Sequence, residues 1–147
     1  MRGQVDQSVR IEEAGDTVLA FADGEAYALV ISALVKRKAL GRLISRGKSR
    51  KRALVLLFAA AVALLLSRVP GSVEGVEIDL EYPGYEAAIK GAILWRLRPL
   101  GKAMAVAELT FGRIGKKSPA HDLAWRVHQG KIPANDRVTI EELLEVL

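Results

Sequence analysis

Val76–Tyr82 alternates apolar and acidic residues, with Glu77, Asp79 and Glu81 set between Val76, Ile78 and Leu80. Side chains two apart share one face of a strand. The three acids therefore line one side of a strand, which the Pro83-Gly84 pair then breaks. Carboxylates gathered at a strand end suit Mg²⁺ or Mn²⁺. Such ions can stabilise both the attacking and the leaving oxygen of phosphodiester cleavage. The plainer reading is a solvated acidic face.

Positive charge is concentrated elsewhere. Nine basic residues and no acid fall between positions 36 and 52: Lys36, Arg37, Lys38, Arg42, Arg46, Lys48, Arg50, Lys51 and Arg52. Arg113, Lys116 and Lys117 form a second group. Such clusters are an electrostatic footprint for phosphates, although charge runs also occur as ordinary solvated surface. Gly47-Lys48-Ser49 has the ending of a phosphate-binding loop, but Gly41 stands one residue too far away. Gly112–Ser118 also lacks that spacing, so backbone contact to nucleic acid is a better expectation than nucleotide hydrolysis. There is no cysteine, which removes disulfides, thiolate metal sites and Cys-His catalysis.

His121, Trp125 and His128 fall at i, i+4 and i+7, a single helical stripe. Two histidines two turns apart do not pair on one metal, so packing or surface is the expected role. Trp95 and Trp125 could stack on bases, though tryptophan is more often buried.

The chain of 147 residues, 50% hydrophobic and 27% charged, fits one globular domain over 1–147. Scarce amides, no cysteine and many charges lean towards a thermophile. Met1–Gly15 is polar and carries no secretory signal, so a cytoplasmic protein is the default.

Thr17–Ala22 and Ala26–Val35 are rich in β-forming residues, and Asp23-Gly24 between them signals a hairpin. Ser8–Glu13 and Gly41–Ser45 are expected as further short strands, giving an antiparallel meander. Ala53–Leu66 is a run of 14 apolar residues whose Ala and Leu content favours helix. It falls short of the roughly 20 residues of a membrane span, so a core helix is expected and a membrane is not. A basic flank precedes it, and a membrane-anchored protein is the reading that detergent-only recovery would support. Next come the acidic strand, a helix over Tyr85–Arg98 and a strand over Ala103–Ile114. Ser118 then caps a helix from Pro119 to Gln129, and residues 132–147 form a short C-terminal helical extension opened by the Thr139–Glu142 capping box.

Three antiparallel strands followed by helix, strand, helix, strand and helix resemble the ribonuclease H-like superfamily. Phe21-Ala-Asp-Gly24 is similar to its first-strand aspartate segment, Ile78-Asp-Leu-Glu-Tyr82 to its fourth-strand segment, and Ala120-His-Asp-Leu-Ala124 to the string near its final acid. The resemblance covers residues 17–131. It implies an α/β fold with a mixed five-stranded sheet and helices on both faces. It also implies a metal site in which Asp23, Asp79 and Asp122 would be catalytic and would hold Mg or Mn, with Glu81 and His121 as further ligands. Two departures stand out: Ala53–Leu66 has no acid where ribonucleases H carry a glutamate, and Ser8–Glu13 would be an extra strand.

The expected function is nucleic-acid binding, to DNA or RNA, with metal-dependent phosphodiester cleavage by a nuclease site. The two basic clusters would hold phosphates. The alternative is a catalytically inactive binding or assembly module of the same fold. Exposed apolar surface on Ala53–Leu66 would favour a homodimer.

Overall fold

The Asp23-Gly24 signal produces the expected hairpin. Strands β2 (Thr17–Asp23) and β3 (Glu25–Ile31) pair antiparallel along their whole length, from Thr17 opposite Ile31 to Asp23 opposite Glu25. The computed structural model describes residues 2–23 and 25–147, with Arg2 and Asp23 described by backbone alone. The hairpin is joined by β1 (Arg2–Ser8), antiparallel to β2, and by β4 (Gly75–Asp79) and β5 (Leu109–Gly112), which extend the sheet in parallel beyond β1. A two-residue strand, β6 (Asp136–Arg137), runs parallel to β3. The result is one mixed sheet of six strands in the order β5-β4-β1-β2-β3-β6.

The sheet has six strands where the sequence implies five and an extra one, and three of those six segments lie differently. The first strand is Arg2–Ser8 rather than Ser8–Glu13, because the chain turns at Val9, which takes a positive φ of 64°. A β-branched residue in the left-handed region is a strained exception, and here it breaks the strand. Gly41–Ser45 is not a strand. It belongs to helix α1 (Ala33–Ser45), whose buried residues Lys36, Ala39, Leu40 and Leu43 follow helical spacing. Ser32 caps this helix by accepting from Val35 N–H, and Asp16 Oδ1 accepts from Ala33 N–H at 2.9 Å. Within Ala103–Ile114 only Leu109–Gly112 is strand, preceded by a 3-10 turn over Val106–Glu108.

Helix α2 (Arg50–Arg68) begins at the Ser49 cap and contains the apolar run expected to be helical. All of Ala53–Leu66 is buried except half-buried Leu56. A helix apolar on every side needs neighbours on every side. Leu19, Phe21, Leu29 and Ile31 of the sheet share one core with α2, as do α1, α3 (Glu86–Leu97) and α5 (Ile140–Val146). Among the described residues, no helix is long and apolar enough to cross a membrane.

The other face of the sheet carries α4 (Pro119–His128). Its Ala124 and Val127 pack on Val18, Ala20, Ala28 and Val30. Small side chains on both partners let this helix lie close to the sheet. The segment after α4 is knitted into the main core: Arg68 of α2 pairs with both Asp136 and Glu142, while Val138 and Leu143 are buried there. The Thr139–Glu142 capping box opens α5, as its sequence signature implied.

Candidate metal centre

Strand alternation sends the two faces of β4 to different places. Val76 and Ile78 enter the core around α2, so Glu77 and Asp79 point to the α4 side. The β1–β4 pairing sets Gln4 beside Glu77 and Val5 beside Ile78, which puts Asp6 next to Asp79 one step further on. Gln4 Nε2 donates to Glu77 Oε1 at 3.1 Å. On the β5 side Asp79 stands beside Gly112, where a Cβ would meet the end of the Glu77 side chain.

Asp6, Asp79 and Glu81 converge at the carboxyl ends of the parallel strands, offering carboxylate oxygens that all lie within 4.8 Å of one another. Asp6 is buried. Its Oδ1 accepts from Gln7 N–H at 2.8 Å, and its Oδ2 lies 2.8 Å from His121 Nδ1. Asp79 Oδ1 accepts from Ile114 N–H at 2.9 Å, which ties the β5–α4 loop to the site. Arg10, the residue after Val9, brings its Nε to 2.7 Å from Glu81 Oε2, although no aligned hydrogen bond forms there.

Burial raises the proton affinity of Glu81 and Asp6. The Glu81 carboxyl is pushed up to about 8, first by desolvation and then by the hydrogen bond and charge of Asp79, with Arg10 opposing. Asp6 is also raised by burial, against the hydrogen bonds from His121 and Gln7. Glu81 and Asp6, drawn out of water and crowded by neighbouring acids, hold protons more tightly than exposed carboxyls do. Hard oxygen donors of this kind fit Mg²⁺ or Mn²⁺, and Asp6, Asp79 and Glu81 are the residues that would hold one.

The residues singled out in the sequence are distributed unevenly about this centre. Asp79 and Glu81 are in it, and His121 touches it through Asp6. Asp122 is exposed in the first turn of α4, where its carboxylate pairs with Arg126 Nε at 2.9 Å instead of turning to the acids. The Asp23 side chain lies outside the described residues. Its backbone follows Ala22, which faces Gln4, whereas Asp6 faces Ala20. The Asp23 backbone is thus three residues along β2 from the position that faces Asp6.

Lys36 is buried. Its Nζ donates to Glu13 O at 2.8 Å and to Thr17 Oγ1 at 3.0 Å, so it holds the β1–β2 loop. The other basic residues of that cluster, Arg37, Lys38, Arg42, Arg46, Lys48, Arg50, Lys51 and Arg52, are exposed. Lys51 reaches the rings of Tyr82 and Tyr85, 5.3 and 5.4 Å from their centroids, just beyond Glu81 in sequence. Arg113, Lys116 and Lys117 are exposed on the loop whose Ile114 binds Asp79. The loop that carries these three bases is therefore the one joined to the acids, through Ile114.

Asp6 and Arg10 carry no sequence signal of their own. Arg2–Ser8 has only one large apolar residue, Val5, so it carries no alternation by which a strand could be recognised.

No protein-family model, curated protein or solved structure matches this chain.

Proposed function

We propose that this protein binds nucleic acid and cleaves phosphodiester bonds with Mg²⁺ or Mn²⁺ held by Asp6, Asp79 and Glu81. The observation that carries this reading is the convergence of three carboxylates within 4.8 Å at the carboxyl ends of parallel strands. Arg113, Lys116 and Lys117 are exposed on the loop that Ile114 joins to Asp79, as a polyanionic substrate requires. When bound, the cation would supply Lewis-acid stabilisation of the phosphoryl oxygens. His121 would orient Asp6, and the amide of Ile114 would orient Asp79. Arg113, Lys116 and Lys117 would draw the backbone towards the acids.

Ribonuclease H-like ancestry is part of this proposal. Its support is the strand order β5-β4-β1-β2-β3, with β1, β2 and β3 antiparallel and β4 and β5 parallel to β1. On that reading the first-strand aspartate is Asp6, one strand earlier than the Asp23 suggested by local sequence. The helix between β3 and β4 that would carry a further acid is replaced by α1 and α2, and the buried part of α2 has none.

The Arg10–Glu81 ion pair favours a second reading. It already gives the acids a counter-charge, as a non-catalytic binding module would need. A nuclease assay on single-stranded, duplex and branched DNA and RNA, with Mg²⁺ or Mn²⁺, separates the two. Cleavage by the parent that disappears in Asp79→Asn supports the enzyme. Salt-sensitive binding without cleavage in either protein supports the module.

A further inference from the structure

Trp125 keeps 48% of its surface exposed, although tryptophan usually gravitates to protein interiors. It is not needed for packing: α4 contacts the sheet through Ala120, Ala124 and Val127, which are buried. Trp125 instead sits on the stripe His121, Trp125, His128. At ~1.5 Å rise per residue these rings succeed one another over roughly 10 Å of helix. The first ring of the stripe is hydrogen-bonded to Asp6. The other two are neighbours, with centroids 6.3 Å apart and planes inclined by 34°.

Charge on this surface selects the partner. Lys116 and Lys117 are exposed just before α4. Asp122, the acid of that helix, is already paired with Arg126. An apolar protein surface gains little from such surroundings. A nucleic acid strand gains phosphate contacts and a π-face together.

We propose that Trp125, with His128 beside it, is a stacking platform for an unpaired nucleobase of a strand whose backbone passes the acid cluster. The ligand class is single-stranded or locally unpaired nucleic acid, because a base inside a duplex has both faces covered by its neighbours. This inference rests on the nucleic-acid reading above and adds the substrate class to it.

The chain has two tryptophans, and Trp95 lies on α3, on the other side of the sheet. Trp95→Phe therefore leaves Trp125 as the sole reporter. The parent and the Trp95→Phe protein are titrated with labelled oligothymidylate, oligouridylate and a blunt DNA duplex, following anisotropy of the label and tryptophan emission. The expected result is quenching of Trp125 that saturates with single-strand binding and is weak with duplex. In the parent background Trp125→Ala should bind single strands about tenfold more weakly, Trp125→Phe should bind nearly as the parent does, and the salt slope should be unchanged in both. Single-strand binding with unchanged Trp125 emission, and with full affinity in Trp125→Ala, overturns the platform while leaving the nucleic-acid reading intact. Equal quenching by duplex overturns the preference for unpaired bases. No binding of any oligonucleotide at low salt overturns both readings.

Discussion

His121 Nδ1 lies 2.8 Å from Asp6 Oδ2, joining the first turn of α4 to the central strand of the sheet. The residues are 115 positions apart in the chain. The contact fixes a buried carboxylate that burial alone would drive towards its neutral form. It also makes α4 part of the acid site as well as a cover for the sheet.

Removing that contact should weaken cation binding without unfolding the protein. His121→Ala is expected to lower Mn²⁺ affinity about tenfold in calorimetry, the usual scale for a residue that orients a ligand. Asp79→Asn should abolish the binding signal. Equal Mn²⁺ affinity in all three proteins would show that the acids are not the cation site.

Stability should fall as pH rises from about 4.5 towards 8. The native Glu81 carboxyl, pushed up to about 8, keeps a proton that the unfolded chain has released over this window. The native state then binds more protons than the unfolded state, so unfolding free energy declines with pH, by at most ~1.4 kcal/mol per unit from this group. Asp6, raised by burial, acts in the same direction. Glu81→Gln should flatten the profile and be more stable than the parent near pH 8. Denaturant midpoints measured from pH 5 to 8.5 test this, and a parent curve rising across that range would contradict it.

The basic residues should divide into two kinds. Lys36→Met removes three donated hydrogen bonds from the β1–β2 loop and should cost roughly 1–3 kcal/mol of stability. It should leave the salt dependence of nucleic-acid binding unchanged. Lys116→Ala and Lys117→Ala should leave stability alone, and each should reduce the salt slope by about 1.

Leu65 is fully buried on α2, so Leu65→Ala should cost about 2–5 kcal/mol in chemical denaturation. Leu34, 52% exposed on α1, should tolerate the same change within about 0.5 kcal/mol. Similar losses at the two positions would mean that α2 is not enclosed as described.

Local sequence was a good guide wherever local energetics decide the structure. Asp23-Gly24 set a hairpin, Ser118-Pro119 and the Thr139–Glu142 box opened helices, and the apolar run 53–66 became a buried helix. Turn geometry, caps and hydrophobic content act within a few residues, so they can be read from a few residues. The acidic alternation of β4 was legible for the same reason, and with it Asp79 and Glu81. Helix α1 was missed although Lys36, Ala39, Leu40 and Leu43 have helical spacing. The β-branched residues before it favoured extending the preceding strand through Val35.

The partners of Asp79 depend on tertiary structure. Asp6 comes from a strand with almost no apolar pattern, which is central because β2 and β4 pair with its two edges. Arg10 faces Glu81 after a turn forced at Val9, and His121 reaches Asp6 because Ala124 and Val127 seat α4 on the sheet. By itself, the sequence determined the β2–β3 hairpin, the buried helix α2, the capped starts of α4 and α5, and that one strand carries a row of acids. Strand order and helix docking decided which acids meet, since those contacts join residues more than seventy positions apart and no short-range preference encodes them.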